Sequence, residues 1–462
     1  MINQLNNNFF TKEDLSLFES AAIFSFCQVL KTRGMENQMA TFDLFVRDMP
    51  KNRNFLLFGG LEEIINGIIN WKFNKEDVAV LLNYGLIKEE LAKYLEKFKF
   101  TGSVMAMKEG TVFFPNEPII RITAPIIEAN ILFMFLINAV SSNTIFMSKA
   151  ARSVLAAKGK PVFTNGGRAQ GFEAGAKFVR SAYIAGLIPA LQLSPLLKYK
   201  IPLPEKIIKS TFHSYIKAFP SELEAMMAFV EEFPDDEATL IVDTYDFEKG
   251  IMNAIKVCEH LKKKNKKIFS IFIDSGDLYG RTCRAREKLN SAGFSDVKIM
   301  VASNLNEWRV KGLMDKKIPC DSFMAITELA TSYDDPKLEI VYKMCQLQDG
   351  DKIRQTMKLA PGKKSYPGVK QVFRTKEEDV FKKDIIGLEN EKINGEKLLE
   401  PIIKEGKLAY DLPHITDIKK YAENQLKFLP DEYKRLETQS NYPVEISNGL
   451  SKLTEYTESK MV

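Results

Sequence analysis

The stretch Thr239-Leu-Ile-Val-Asp-Thr-Tyr-Asp246 and its counterpart Ile268-Phe-Ser-Ile-Phe-Ile-Asp-Ser-Gly-Asp277 decide the fold. In each, an apolar run stops at an aspartate, and a second aspartate follows three residues later. A third run, Val297 to Val301, ends in Ala302-Ser-Asn304. The strand-end positions 243, 274 and 303 lie 31 and 29 residues apart (274 − 243 and 303 − 274). Segments of helical length, Glu248 to Lys263 and Leu278 to Ala292, fill the intervals. That period is a strand plus a crossover helix, and continuous apolar strands are what a parallel sheet covered on both faces requires. The expectation is an α/β barrel whose polar residues stand at the carboxyl ends of its strands, where such barrels hold ligands.

Outward from this core, three zones are expected. Residues 136–345 form the barrel, entered through a helix from Thr144 to Lys158 and the run Pro161-Val-Phe163. Residues 1–135 mix helical patterns (Asp14 to Leu30, Lys75 to Lys97) with short β-like runs at Phe55–Phe58, Ser103–Ala106 and Pro118–Ile122, an α+β pattern. Residues 346–462 begin with a Lys/Gly/Pro-rich segment, Lys358 to Arg374, and end in a helical region, Ile415 to Leu436.

Composition narrows the function classes. With 65 basic and 60 acidic residues the net charge is +5, too balanced to argue for nucleic acid. The dense run Lys262 to Lys267 reads as a solvated helix end. Five scattered cysteines without a C-x-x-C pair speak against disulfides and structural zinc. The N-terminus lacks a signal-like apolar core, and the apolar stretch Ile126 to Val140 carries Glu128, Asn130 and Asn138. A cytoplasmic protein without membrane segments is the expectation.

The chemistry concentrates in a few places. Asp243 with Asp246, and Asp274 with Asp277, read blandly as Asx turns or helix N-caps. That accounts for one aspartate per motif, but not for four on neighbouring strands. Carboxylates so placed suit Mg²⁺ or sugar hydroxyls. His213 is one of three histidines, with His260 and His414, and precedes a helical stretch. Taken alone, a single histidine is more often structural. Lys358-Leu-Ala-Pro-Gly-Lys363, followed by Pro367-Gly-Val-Lys370 and Arg374, offers turns and spaced cations that suit phosphate or carboxylate, as a solvated loop would also look.

Arg168-Ala-Gln-Gly171, Ser181-Ala-Tyr-Ile184 with Gly186, His213-Ser214, Phe219 with Glu222, Val242-Asp-Thr-Tyr-Asp246, Asp274-Ser-Gly-Asp-Leu278, Ala302-Ser-Asn304, Val341-Tyr-Lys343 and the Lys358 to Arg374 segment occur in one order. That ordered set resembles the nicotinate phosphoribosyltransferase family, and the likeness covers most of the chain. It implies an irregular α/β barrel fused to an α+β open sandwich (the type II phosphoribosyltransferase fold), and a homodimer with a shared active site. It further implies the joining of nicotinate to phosphoribosyl pyrophosphate with Mg²⁺, giving a mononucleotide and pyrophosphate for NAD salvage. ATP is the implied co-substrate, hydrolysed through a phosphohistidine at His213. Asp243 and Asp274 become the expected catalytic and metal-binding carboxylates. Phe163, Arg168, Ser214, Asp246, Ser275, Gly276, Asp277, Ser303, Asn304, Thr327, Lys358 and Lys363 become the expected substrate contacts.

The sequence also departs from the family pattern in the ligand pocket. Gly167 stands where the first of two arginines is usual, and Thr164 falls at the stacking aromatic, with Phe163 one place away. Near the N-terminus Glu13-Asp-Leu-Ser16 replaces a pattern ending in tyrosine. After Gly186 comes Leu187-Ile-Pro-Ala-Leu-Gln192, and Met324-Ala-Ile-Thr327 puts Ala325 and Ile326 in a usually glycine-rich strand end. Ser210-Thr211 likewise stands where Gly-Thr precedes the histidine. Three readings stay open at this point. The chain is a nicotinate enzyme with a rebuilt pocket, a phosphoribosyltransferase for a different base, or a catalytically reduced relative with a binding, regulatory or structural role.

Overall fold

The computed structural model describes residues 15–190, 192–205, 207–234, 238–437 and 441–461. Two compact units emerge, one of residues 149–336 and one built from residues 1–148 and 337–462. The boundaries therefore fall later and earlier than the sequence zones at 135 and 345. The first boundary, at either position, falls within the continuous helix Phe133–Ala156. The second moves because the strand Ile340–Asp349 pairs with Met39–Val46 of the first segment.

Unit 149–336 is a curled half-barrel of seven parallel strands. Their order across the sheet is Ile188–Pro189, Val162–Thr164, Ser322–Met324, Lys298–Val301, Ser270–Ile273, Ala238–Ile241 and Lys209–Ser210. Among the described residues no ladder joins the two edge strands. Ala238–Ile241 and Ser270–Ile273 are buried at every position, which is why their apolar runs do not alternate. The crossover helix Phe247–Lys262 buries Phe247, Ile251, Ala254, Ile255, Cys258 and Leu261, one stripe at helical spacing. It starts where Asp246 accepts a hydrogen bond from the Lys249 N–H, and it ends in the lysine run, a charge order that suits the helix dipole.

The other unit holds a seven-stranded sheet whose core strand, Met39–Val46, lies between Ile340–Asp349 and Ile120–Pro125, antiparallel to both. A second sheet pairs Lys370–Glu377 with Val380–Leu388, flanked by Glu396–Lys397 and Val444–Ile446. The expected helix from Lys75 to Lys97 divides into Lys75–Asn83 and Glu89–Leu95, with Gly85 at φ +66° in the break. The expected first helix is observed as Ala21–Thr32, while its proposed start at Asp14 lies outside the described residues. Ile126–Ile131 and Phe133–Ala156 account for the apolar stretch, and among the described residues no helix is long and apolar enough to cross a membrane.

Candidate active site

The carboxyl ends of three adjacent strands bring the acidic motifs together. The Asp243 side chain is 1% exposed, and its Oδ2 accepts hydrogen bonds from the Asp274 N–H at 2.8 Å and the Ser275 hydroxyl at 2.6 Å. Its Oδ1 is buried without a partner. A buried carboxylate oxygen left unpaired is costly, and this one lies at the strand end beside Asp274 and Ser275. Asp274 is half-buried. Burial pushes its carboxyl above the usual range and the Asp243 charge adds to this, while His213, Arg168 and a hydrogen bond from the Ser303 backbone oppose it.

The turn between these groups is held from behind. Gly276 sits at φ +76°, and a Cβ there would lie 2.5 Å from the Arg281 guanidinium carbon. Arg281 donates through Nη1 to the Ser275 carbonyl at 2.8 Å and hydroxyl at 2.7 Å, and that nitrogen lies 3.8 Å from Asp243 Oδ2. Its guanidinium also packs over the Phe247 ring at 5.0 Å. Arg281 is a site residue that the sequence reading missed. Its only sequence signal is a cation four residues after Asp277, one turn into the helix Leu278–Ser291.

His213 opens a short helix, and its ring is oriented on one side by Thr244, whose hydroxyl lies 3.0 Å from Nδ1. Nε2 faces Asp274 Oδ2 at 3.9 Å, and the side chain is 40% exposed. One ring nitrogen is therefore fixed by a neighbour, while the other stands beside a carboxylate and open space, an arrangement fit for nucleophilic or proton-transfer work. Glu222 is 6% exposed and takes a hydrogen bond from Asn253. Burial raises its carboxyl, Asn253 opposes, and Asp243 and Asp246 add to the rise.

Family comparison supplies the context for this cluster. Residues 17–141 match the nicotinate phosphoribosyltransferase N-terminal domain, and residues 382–454 match the C-terminal domain of the same family. A nicotinate phosphoribosyltransferase of Mycobacterium tuberculosis is 34% identical, covering 89% of this chain and 87% of that protein. The Bacillus subtilis nicotinate phosphoribosyltransferase is 31% identical, covering 95% of this chain and 94% of its own. This chain belongs to the nicotinate phosphoribosyltransferase family. Among solved structures, human nicotinic acid phosphoribosyltransferase superposes with a TM-score of 0.83 at 20% identity, over 95% of this chain and 99% of that one. At that identity the likeness concerns the fold, which is the type II barrel with its open sandwich.

Within the nicotinate phosphoribosyltransferase frame, the expected residues divide by place. Asp243, Asp274, Ser275, Gly276 and His213 form one connected group, with Arg168 and Ser303 within reach of Asp274. Ser303 and Asn304 follow the next strand at φ +84° and +47°, a backbone shape that turns this strand end sharply. Phe163 is the middle residue of the strand Val162–Thr164 and is half-buried, and Thr327 opens a short helix exposed. Ser214 and Asp277 are exposed, and Asp246 is spent on its helix cap. Asp277 holds the N-cap position but makes no side-chain cap bond. Lys358 and Lys363 are exposed in the other unit, on the loop between Lys352–Gln355 and Lys370–Glu377.

Two cations of that lysine-rich segment are not ligand groups. Lys370 is buried and paired with Asp43 at 2.8 Å, and Arg374 is buried against Asp384 at 2.5 Å. Their charges are satisfied inside the sandwich unit, and the segment from Lys370 onward is a strand rather than a loop. Ser16 is fully buried and donates to Asp77 Oδ2 at 2.7 Å, which ties it to the N-cap of Lys75–Asn83. Glu13, Asp14 and Leu191 lie outside the described residues.

Proposed function

We propose that this chain transfers the phosphoribosyl group of phosphoribosyl pyrophosphate to the ring nitrogen of a pyridine base, with nicotinate, the base named for its relatives, as the first candidate. The observation that carries this reading is the Asp243–Asp274–Ser275 cluster with its one buried, unpartnered carboxylate oxygen. As pyrophosphate departs, C1 of the ribose becomes electron-deficient. Carboxylates held beside the ribose favour that charge, and being pre-oriented they need no rearrangement at the moment of reaction. In this reading the half-buried Asp274 carboxylate, with Asp243 behind it, would accept from ribose hydroxyls.

The same two groups fit a magnesium ion. Among the described residues no cluster of three or more His, Cys, Asp or Glu is poised around a metal. Two carboxylates suit Mg²⁺, which takes its remaining oxygens from substrate phosphates and water. Bound there, Mg²⁺ would neutralise the departing pyrophosphate. Asp243 and Asp274 would hold it, with Arg281 fixing the turn behind them.

His213 is proposed to carry the phosphoryl group during ATP-assisted turnover. The family resemblance implies the role, and the geometry supports it: Nδ1 is oriented by Thr244, and Nε2 points to Asp274. A homodimer with a shared site belongs to the same reading. The test is pyrophosphate release from phosphoribosyl pyrophosphate, nicotinate and Mg²⁺, with and without ATP. His213→Ala is expected to remove ATP stimulation and ATP hydrolysis while the unfolding midpoint stays unchanged. Undiminished ATP hydrolysis in that variant would end the assignment.

A further inference from the structure

The strand end beside Asp274 is held in a shape that its own residues do not favour. Ser303 and Asn304 follow the strand Lys298–Val301, and both have positive φ, +84° and +47°. Residues with a side chain enter that region at a cost, and they persist there only where their surroundings fix them, most often at functional sites. The pair stands across the ladder from the acidic motif. Val301 lies opposite Ile273, the Ala302 N–H donates to the Ile273 carbonyl at 2.8 Å, and the Ser303 N–H donates to the Asp274 carboxylate.

The turn is fixed from its far side. Arg309, the third residue of the helix Glu307–Asp315, reaches back and donates through Nη1 to the Asn304 carbonyl at 2.9 Å and the Ser303 carbonyl at 3.3 Å. The start of that helix is itself anchored. Asn306 Oδ1 accepts from the Arg309 N–H at 2.9 Å, while Nδ2 donates to Glu328 at 2.6 Å. Glu307 is fully buried and pairs with Lys149 at 2.7 Å and Arg152 at 3.2 Å. Arg309 is exposed, so it adds little to the core, and its guanidinium is spent on the two carbonyls. Arg281 does the same one strand away, from the first turn of its own helix onto the Ser275 carbonyl. Asp274 thus lies between two turns, each held by an arginine that reaches back from the following helix.

We propose that Arg309 is a positioning residue for phosphoribosyl transfer: by fixing the Ser303 and Asn304 carbonyls it holds the turn that keeps the Ser303 N–H on Asp274. This inference rests on the phosphoribosyl-transfer reading above. Arg309 acts through the turn and touches no reacting atom. A carboxylate oriented by a neighbour's hydrogen bond loses its pre-orientation when the neighbour's own support is removed, and the reaction slows although every contacting group is still present.

The experiment compares the wild type, Arg309→Met and Arg309→Lys by amide hydrogen exchange over residues 300–306 and by kcat and KM for phosphoribosyl pyrophosphate and nicotinate with Mg²⁺. Methionine keeps much of the side chain's length without a donor, whereas lysine keeps a donor that reaches the same carbonyls. Arg309→Met is expected to speed exchange in that segment alone and to leave the unfolding midpoint unchanged. Its kcat/KM for phosphoribosyl pyrophosphate is expected to fall at least about tenfold, with KM for nicotinate within about twofold of wild type. Arg309→Lys is expected to restore most of both losses. Unchanged exchange in Arg309→Met would overturn the clamp, and faster exchange with an unchanged kcat/KM would overturn its part in transfer. Equal losses in the two variants, or a lowered midpoint that accompanies the loss of rate, would also overturn the inference and leave the transferase reading standing. A wild type that releases no pyrophosphate would overturn that reading, and this inference with it.

Discussion

At the scale of single residues, the chain spends most of its buried charge on itself and leaves a few atoms unspent. Asp384–Arg374 is a closed pair, whereas Asp43, paired with Lys370 through one oxygen, and Asp243 each keep a second oxygen without a hydrogen-bond partner. Glu19 behaves differently again. It is 6% exposed, its Oε1 accepts from the Met134 N–H, and its Oε2 has no partner. Burial pushes its carboxyl up to about 7 from an ordinary value of 4.5. Between those two values the folded chain keeps a proton that the unfolded chain releases, so stability falls as pH rises through this window. The full effect is at most about 3 kcal/mol. Glu19→Gln is expected to flatten that slope, read from urea midpoints between pH 4.5 and 7.5. An unchanged slope would assign it to other groups. None of this was legible beforehand, because nothing in the sequence around Glu19 marks it as buried. Lys370 and Arg374 misled for the matching reason: a cation in a Gly/Pro-rich stretch looks solvated until a distant carboxylate is folded onto it.

At the scale of elements, legibility followed burial pattern. Ala238–Ile241 and Ser270–Ile273 were readable because both faces are covered and the apolar run is unbroken. Met39–Val46 was not, since Thr41 and Asp43 interrupt its run although both are buried, Asp43 by pairing with Lys370. The aspartate motifs carry one signal for two jobs: Asp246 caps a helix and Asp243 lines the site, a division that spacing alone does not reveal. The helix after Asp246 also packs unusually close to its own strand. A Cβ on Gly250 would lie 1.9 Å from the Val242 carbonyl oxygen, which is backbone and cannot swing aside. Gly250→Ala is expected to cost about 1–3 kcal/mol, the usual range for overpacking, and to reduce activity by shifting the strand end that carries Asp243. Denaturant unfolding beside a kinetic assay checks this. Wild-type stability and rate together would show that the close approach relaxes without consequence.

At the scale of the whole molecule, the chain builds part of one unit, completes the half-barrel, and returns to finish the first. The return is fixed by register, with Met39 opposite Gln348 and Val46 opposite Ile340. No local pattern announces a pairing across some three hundred residues, so the sequence zones placed the second boundary inside the strand Ile340–Asp349. The family, in contrast, was readable from the order of short motifs, and the relatives at 34% and 31% identity bear it out. The central claim is that the acidic strand ends form the ribose and metal side of a phosphoribosyl-transfer site. Its most direct test is kcat/KM for phosphoribosyl pyrophosphate in Asp243→Asn, which keeps the side chain's shape and removes its charge. The account predicts a fall of at least about 100-fold with an unchanged unfolding midpoint; a value within twofold of wild type would contradict it.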